Sequence, residues 1–298
     1  CLGHINDKDG QKMSKSKGNI VVPWKIIDQY GVDALRFHFF TMNQPGEPKN
    51  FDSKGVDEVV KKTFLILFNV LAFYEMYSRE EAAQVSAPTS ENILDKWVLV
   101  LWQKTVQQVT NNLDAYKVLE AGRELADFVT ELSTWYVRRS RDRFKLGGDD
   151  AEVARKMLGY ILRQVAIVLA PFTPFIAEEL YTHLKGEKES VHLEDWLESA
   201  DVNEEVLVAM AKARQVVELA LSKRAEAGIK IRQPLRSLTI LGIDEQDLSA
   251  EVGQIIADEV NVMTVIFGGG EEFKVELDVV LDDELKAQGQ VREFVRQV

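Results

Sequence analysis

The sequence predicts a mainly α-helical protein, in which a helical bundle is preceded by a loop with short helices and followed by a small α+β module. Three observations predict this fold class. Apolar residues recur at three- and four-residue steps through most of 55–201, turn-forming residues separate this region from 1–54, and β-branched runs appear only within 202–298. These ranges are the three predicted regions of the chain.

The first region is rich in turn-forming residues. Pro23 is placed to open a helix, Gly31 to close it, and Asp33 to begin the next one. The stretch from Asn43 to Lys54 contains prolines and a glycine, which is typical of a junction between domains. We therefore place the first boundary near Lys54.

Helical periodicity dominates the second region. One apolar stripe runs from Val60 to Tyr74, and such a stripe needs partner helices to cover it. The other helices are predicted near 93–101, over 121–136, over 153–165, and after residue 173, with Thr173 as N-cap and Pro174 as first residue. Four to five helices of this length predict a bundle.

The pattern changes in the third region. A long helix is predicted from Glu204 to Ala227, with Gly228 as its left-handed cap. Strands are predicted at 238–240, 262–267 and 273–280, with a helix over 251–260 between the first two. The glycines at 268–270 lack the following helix of a phosphate-binding loop, so we interpret them as a turn.

Composition excludes several classes of protein. With 298 residues, 46% of them hydrophobic, the chain can bury the cores of two domains. It has no apolar run of membrane-spanning length and no signal peptide at its start, so we expect a cytoplasmic protein without a membrane partner. Cys1 is the only cysteine and the four histidines are scattered, so we predict neither a disulfide framework nor a zinc or other metal site.

A lysine-rich segment is the first local cluster of positive charge in a chain whose formal net charge is −12. Residues 12–18 read KMSKSKG, which places three ammonium groups and two hydroxyls beside a glycine that can take positive φ. Lysines held near the departing pyrophosphate would lower the barrier when a carboxylate attacks the α-phosphate of ATP. For the isolated motif, the alternative is a solvated basic loop.

The second cluster continues the third predicted helix of the bundle. It consists of Trp135, Tyr136, Arg138, Arg139, Arg141 and Arg143. Spacings of three and four place the arginines along one side of a helix, where guanidinium groups can bind phosphates and an aromatic ring can stack on an unpaired base. The alternative puts the aromatic pair in the core and pairs the arginines with carboxylates. We favour the core for the aromatic pair and RNA for the arginines.

A third and looser cluster lies around the end of the long helix. Its members are Lys212, Arg214, Lys223, Arg224, Lys230, Arg232 and Arg236. On spacing alone, an exposed helix face explains these residues as well as a binding site does.

Several strings resemble class I aminoacyl-tRNA synthetases of the isoleucyl type. Residues 12–16 match the KMSKS signature of that class, and GNI, PW-x-II and YG-x-DALRF follow between Gly18 and Phe37. The string at 133–144, STWYVRRSRDRF, is similar to the anticodon-domain helix of the isoleucyl group, and 224–235 to its segment leaving the bundle. Valyl and leucyl relatives share the bundle but are less similar at 133–144. The resemblance covers essentially the whole chain.

This resemblance implies an ATP- and Mg²⁺-dependent enzyme that activates isoleucine and transfers it to tRNA(Ile), acting as a monomer. Region 1–54 would end its catalytic domain, 55–201 would bind the anticodon, and 202–298 would be a junction module. Because the nucleotide-binding fold would precede Cys1, we expect this segment alone to bind tRNA weakly and to catalyse nothing.

The resemblance also implies roles for single residues. Lys12 and Lys15 would be catalytic, and the ATP contacts would be Lys12, Met13, Ser14, Lys15 and Ser16, with Met13 as the apolar anchor of the loop. The tRNA contacts would be Trp135, Arg138, Arg139, Arg141, Arg143, Lys223, Arg224, Lys230 and Arg232.

Three other interpretations remain. The chain could come from a valyl- or leucyl-type synthetase, or be a stand-alone tRNA-binding module in which the lysine-rich segment has lost its role. It could also be a helical scaffold whose arginines pair with acidic protein partners.

Overall fold

The structure is a computed structural model that describes residues 3–78, 81–198, 202–243, 248–270 and 272–297; Cys1 lies outside these ranges. The chain forms two compact units, Cys1–Val202 and Asn203–Val298. The first unit is almost entirely helical, and the second combines helices with a small sheet. The predicted mainly α-helical fold class is confirmed.

The elements of the first unit follow one another with short connections. They are β1 (Ile5–Asn6), α1 (Pro23–Tyr30), α2 (Val32–Thr41), β2 (Lys49–Asn50), α3 (Ser53–Val59), α4 (Leu65–Ser78), α5 (Ile93–Asp114), α6 (Val118–Glu131), α7 (Arg138–Leu146), α8 (Gly148–Leu169) and α9 (Pro174–His183). The two short strands pair in parallel. Pro23 opens α1 and Gly31, with φ of 85°, ends it, as the sequence predicts.

Thr173 is the N-cap residue of α9 as predicted, but the side chain that caps this helix is that of Asp33. Helix α2 begins at Val32, so Asp33 lies within its first turn instead of preceding it. The buried Asp33 carboxylate accepts hydrogen bonds from the backbone N–H groups of Phe175 and Ile176, at 2.8 and 2.7 Å, and thereby caps α9. Thr173 precedes Pro174 as expected, but its side chain makes no capping bond. Burial raises the pKa of Asp33 above its ordinary value.

Wide π-helical turns interrupt two long helices of the first unit. Val60–Phe64 joins α3 to α4, and Leu132–Val137 joins α6 to α7. A π turn adds a residue to the helical repeat and changes which side of the following helix faces the core. In the second of these turns three consecutive side chains, from Trp135 to Val137, are therefore buried, a pattern that a regular α-helix on a bundle surface does not give.

The core of the first unit lies around α8. Its apolar side chains are buried on every side of the helix, and fully burying each such side chain contributes about 1.5–3 kcal/mol. Gly159 permits a close approach, because a Cβ there would lie 2.8 Å from the ring of Tyr74. The buried Arg163 of α8 pairs with Glu194 at 2.6 Å, which fastens the segment after α9 to the bundle.

His183 connects the end of α9 to α4. Its Nδ1 lies 2.7 Å from Glu75 Oε1 and its Nε2 lies 3.2 Å from Glu179 Oε1. These two carboxylates, Glu75 first, raise the pKa of His183 above its ordinary value. Because the imidazole is partly exposed, solvent screens the pairing, and its stabilisation is expected to stay below about 1 kcal/mol.

This pairing predicts a pH-dependent stability difference between the protein and the variant His183→Gln. A raised folded-state pKa means that the stabilisation is complete below the unfolded-state pKa of about 6.5 and is lost as pH rises through the folded-state value. Urea unfolding of both proteins should therefore show a larger difference at about pH 5.5 than at about pH 8.5. A difference that is equal at both pH values, or larger at high pH, would contradict the assignment.

The second unit is built around a three-stranded sheet. Its elements are α10 (Glu205–Glu226), β3 (Leu235–Leu241), α11 (Ala250–Val260), β4 (Val262–Gly268), β5 (Lys274–Leu277) and α12 (Asp283–Gln297). The strand order is β4-β3-β5, with β4 parallel and β5 antiparallel to β3. Gly228, with φ of 67°, follows α10 as predicted. The glycines at 268–270 do not close a hairpin, because β4 and β5 lie on opposite sides of β3.

The helices that the structure describes include none long and apolar enough to cross a lipid bilayer.

Candidate functional site

The lysine-rich segment forms a compact loop, which we call the lysine loop (residues 12–19). Before it, the Asp7 carboxylate accepts hydrogen bonds from the backbone N–H groups of Asp9 and Gln11, at 3.1 and 2.7 Å, and closes a turn after β1. The chain then returns, and Lys12 bridges to Asn6 in antiparallel fashion. This turn sets the direction in which the loop leaves β1.

A single 3₁₀ turn, Lys15–Lys17, forms the tip of the lysine loop. The hydroxyl of Ser14 accepts a hydrogen bond from the Lys17 N–H at 3.3 Å, and it lies 3.2 Å from the hydroxyl of Ser16. Gly18 ends the turn with φ of 68°, a conformation that a β-carbon disfavours. The serines therefore shape the backbone that carries the lysines.

The lysines and Met13 of the lysine loop point to different environments. The side chains of Lys12 and Lys15 are exposed to solvent, whereas Met13 is half-buried. Met13 lines an apolar pocket of about 230 Å³ together with Ile5, Val21, Pro23, Ile26, Leu35, Phe39 and Phe51. Met13 thus faces side chains of α1 and α2 across this pocket, while the ammonium groups stay exposed to an anionic ligand. The role of Met13 as apolar anchor stays a prediction.

Asn19 is a member of this site that sequence reasoning missed. Its Oδ1 accepts a hydrogen bond from the Ser14 N–H at 2.9 Å. Its Nδ2 donates to Asp7 Oδ2 at 2.7 Å and to the carbonyl oxygen of Lys12 at 3.2 Å. The bond from Asn19 is the main cause that lowers the pKa of Asp7. The sequence gives no signal for this role, because an asparagine after a glycine is also an ordinary turn residue.

The arginine helix, which we define as residues 132–146, presents only part of its predicted cationic side. Arg138 and Arg141 are exposed and Arg139 is half-buried. Arg138 Nε donates to the carbonyl oxygen of Thr134 at 2.8 Å, and its guanidinium lies 5.6 Å from the ring centre of Trp135. The exposed guanidinium groups lie three positions apart, as a phosphate-binding edge requires.

The aromatic residues of the arginine helix belong to the core. Trp135 is only 8% exposed, and Tyr136 is fully buried. The tRNA contact predicted for Trp135 does not fit this placement, because a buried ring covered by Arg138 has no open face for a base. The alternative weighed for the aromatic pair, the core, is the one that the structure shows.

Arg143 also differs from its predicted role, because it belongs to a buried polar group that we call the Asp95 cluster. The Asp95 carboxylate, which is fully buried, accepts two hydrogen bonds at 2.9 Å from the Arg143 guanidinium, one at 2.7 Å from the Tyr136 hydroxyl and one at 2.6 Å from Ser90. Arg143 also pairs with Asp150 at 2.7 Å. Because the Arg143 side chain is only 13% exposed and pairs with carboxylates, the predicted tRNA contact of Arg143 is wrong.

The charges of the Asp95 cluster support one another. Burial alone would lower the pKa of Arg143, but the hydrogen bonds that Arg143 donates to Asp95 and Asp150 raise it. In turn, Arg143 lowers the pKa of Asp150. Burial, with the nearby Asp95 charge, raises the pKa of Tyr136 well above its usual range. These shifts favour a charged Arg143, an ionised Asp150 and a neutral Tyr136. The cluster fixes the arginine helix against α5 and leaves its outer side to Arg138 and Arg141.

In the second unit, the predicted basic residues separate into exposed and buried ones. Lys223, Lys230 and Arg232 are exposed, and Lys223 lies 3.5 Å from Glu226. Arg224 is only 2% exposed. Its Nη2 donates to the carbonyl oxygens of Lys230, at 2.8 Å, of Ile231 and of Gln233. The predicted tRNA contact of Arg224 is therefore wrong: the residue satisfies backbone carbonyls in the turn after α10.

No group of three or more histidine, cysteine, aspartate or glutamate side chains within the described ranges could hold a metal ion.

Comparison with known proteins places these features in a family. The model for "tRNA synthetases class I (I, L, M and V)" matches residues 1–52, and that for "Anticodon-binding domain of tRNA ligase" matches residues 95–239. Two solved structures share the fold at low sequence identity. A leucyl-tRNA synthetase from Agrobacterium radiobacter, in a ternary complex with tRNA, covers 99% of this chain (29% of its own) at TM-score 0.53 and 17% identity. The Mycobacterium tuberculosis methionyl-tRNA synthetase covers 59% (36% of its own) at TM-score 0.51 and 20% identity.

Curated relatives give the group within this class. The isoleucine–tRNA ligase of Clostridium tetani is 37% identical over 290 residues, which are 93% of this chain and 28% of that protein. Those of Clostridium novyi and Thermus thermophilus are each 41% identical, over 90% and 91% of this chain and 27% and 28% of their own lengths. The chain thus spans a little over a quarter of these relatives. A valyl- or leucyl-type origin is not favoured, and the chain belongs to the isoleucine–tRNA ligase family of class I aminoacyl-tRNA synthetases.

Proposed function

We propose that this chain is the part of an isoleucine–tRNA ligase that supplies a phosphate-binding loop for ATP and a surface for tRNA(Ile). In the complete enzyme, ATP and isoleucine would react to isoleucyl-adenylate, and isoleucine would then pass to the tRNA. The single observation that carries the proposal is the exposure of Lys12 and Lys15 on a loop whose Met13 lines an apolar pocket.

Lys12 and Lys15 act in the first step by electrostatic stabilisation. When the isoleucine carboxylate attacks the α-phosphorus, negative charge builds on the departing pyrophosphate, and ammonium groups fixed nearby stabilise it. Ser14 and Ser16 keep the tip of the loop in shape and offer hydroxyl groups to the same phosphates. Mg²⁺ would enter with the phosphates of ATP.

Each unit offers its own candidate surface for tRNA. The first has Arg138 and Arg141, which are exposed, and the half-buried Arg139; the second has the exposed residues Lys223, Lys230 and Arg232. Arginine forks bind phosphates in two-point geometry and stack on unpaired bases, so this set suits a folded RNA with a single-stranded loop. We propose a monomeric protein that works in the cytoplasm.

Binding of tRNA(Ile) to this chain tests the RNA surface. We expect Arg138→Ala and Arg141→Ala each to weaken binding, and each to make the slope of log affinity against log salt shallower by about one. The measurement is a fluorescence titration over a series of salt concentrations.

A matched control uses another exposed cation of the first unit. Lys61 pairs with Asp57 at 2.6 Å on a different helix, and Lys61→Ala should leave both affinity and slope unchanged. Equal losses for Lys61→Ala and Arg138→Ala would indicate bulk attraction. If unrelated RNA of the same length bound equally well, anticodon recognition would lose its support.

A further inference from the structure

One amide side chain connects the two ends of the lysine loop to each other and to the turn before it. Asn19 reaches the backbone at Ser14 and at Lys12, on either side of Met13, and it also reaches the carboxylate of Asp7. Asp7 in turn holds the preceding turn through its other oxygen. The position of the lysines therefore depends on a continuous chain of hydrogen bonds that starts at the end of β1.

The backbone of this segment needs such a restraint. Gly10 and Gly18 both have left-handed conformations, with φ of 76° and 68°, and glycine also populates many other conformations. Met13 is half-buried and lines an apolar pocket, and the 3₁₀ tip has no buried residue. We call the hydrogen bonds of the Asn19 side chain to Ser14, Lys12 and Asp7 the amide bridge. Without this bridge, the lysines would sample many positions relative to a bound phosphate.

We propose that Asn19 and Asp7 are positioning residues that hold Lys12 and Lys15 in the geometry required for amino-acid activation. This inference rests on the proposed function of the lysines. Neither Asn19 nor Asp7 needs to touch ATP, since each acts through the backbone of the loop. Displacing a charged group by about 1 Å from a transition state can cost up to ~100-fold in rate, so the bridge is expected to affect turnover strongly.

Exchange of donor and acceptor across the bridge gives a sharp test. In Asn19→Asp, two carboxylates face each other where the 2.7 Å hydrogen bond was, and the bond to the Lys12 carbonyl is lost as well. We expect kcat for isoleucine-dependent ATP–pyrophosphate exchange in the complete enzyme to fall by ~10- to 100-fold, with KM for isoleucine unchanged. Adding Asp7→Asn restores a donor opposite the new carboxylate but not the bond to the Lys12 carbonyl, so the double variant should recover part of the lost rate.

Two further variants separate the possible outcomes. Asp9→Asn removes a charge from the same turn without touching the bridge, and it should leave the rate unchanged. Lys15→Ala reports on the proposed function itself. If Lys15→Ala lowers the rate and Asn19→Asp does not, the positioning role is overturned while the phosphate role stands. If Lys15→Ala does not change the rate, the proposed function of the lysines is contradicted, and the positioning role that rests on it is contradicted as well.

Thermal unfolding distinguishes positioning from simple loss of structure. The unfolding midpoint and the affinity for tRNA(Ile) should be the same in Asn19→Asp as in the unchanged protein, because the loop buries little surface. A lower midpoint, with a proportional fall in tRNA affinity, would overturn the proposal. Failure of the double variant to recover activity would overturn the paired role of Asp7.

Discussion

Replacing Lys15 by alanine in the complete polypeptide is expected to lower the rate of isoleucine-dependent ATP–pyrophosphate exchange by ~100- to 1,000-fold, the usual cost of one preorganised charge-stabilising group. The ammonium group stands exposed at the start of the 3₁₀ turn, where a phosphate can approach it. The effect should fall on kcat, because the charge that Lys15 stabilises is greatest in the transition state. Steady-state exchange at several ATP and isoleucine concentrations measures it.

Lys25→Ala is the matched control for this prediction. Lys25 is exposed on α1, close to the lysine loop in the sequence but outside the motif, and its loss should change the exchange rate little. An unchanged rate for Lys15→Ala would remove the proposed phosphate role, and the stand-alone tRNA-binding module would become the better interpretation. Equal losses for both variants would show that general positive charge, and not the position of Lys15, matters.

The second large effect concerns stability. Asp95→Ala should lower the free energy of unfolding by about 3–5 kcal/mol, the usual cost of removing one partner from a buried ion pair. The substitution leaves the Arg143 guanidinium and the Tyr136 hydroxyl without their shared buried acceptor. Urea unfolding followed by circular dichroism measures the difference. This difference in the free energy of unfolding should be seen in the protein without any ligand.

Asp150→Ala provides the comparison for Asp95→Ala. Asp150 bonds the same guanidinium, but its side chain is 59% exposed, so its loss should cost about 1 kcal/mol or less. Similar losses for the two variants would contradict the view that burial of Asp95 dominates the cluster.

Sequence reasoning succeeded where the signal is local. Pro23, Gly31 and Gly228 mark helix ends through their own backbone preferences, and each lies at the end that was predicted. The lysine-rich motif and the string at 133–144 identified the family, which the comparisons confirm. Such features depend on residues that are close together in the chain.

Features that depend on distant residues were not predictable. Arg143 meets Asp95 across 48 positions of the sequence, and Asp33 caps a helix 142 positions away. Spacing on a helix places guanidinium groups on one side but does not reveal a carboxylate on a neighbouring helix. The one hint was Asp95 itself, an acid close to the apolar residues Leu94 and Trp97 near the start of α5.

Helix geometry explains a further difference. The four arginines lie in one regular helix, α7, where each residue turns the chain by about 100°. Arg138 and Arg141 therefore share the exposed side, whereas Arg139 and Arg143 lie roughly 100–160° around the helix and are half-buried. The predicted tRNA contacts of Arg138, Arg139 and Arg141 stay predictions.

The carboxylate of Asp33 has a consequence for how this polypeptide can be divided. The side chain that caps helix α9 comes from α2. Arg36 of the same helix donates to the carbonyl oxygens of Pro171 and Phe172, which directly precede α9. A bundle excised after residue 54 would lose those partners and uncover the aromatic contact between Phe37 and Phe172. The region before Lys54, which carries the lysine loop, and the helical bundle are therefore parts of one compact unit, although the sequence predicts a domain boundary near Lys54.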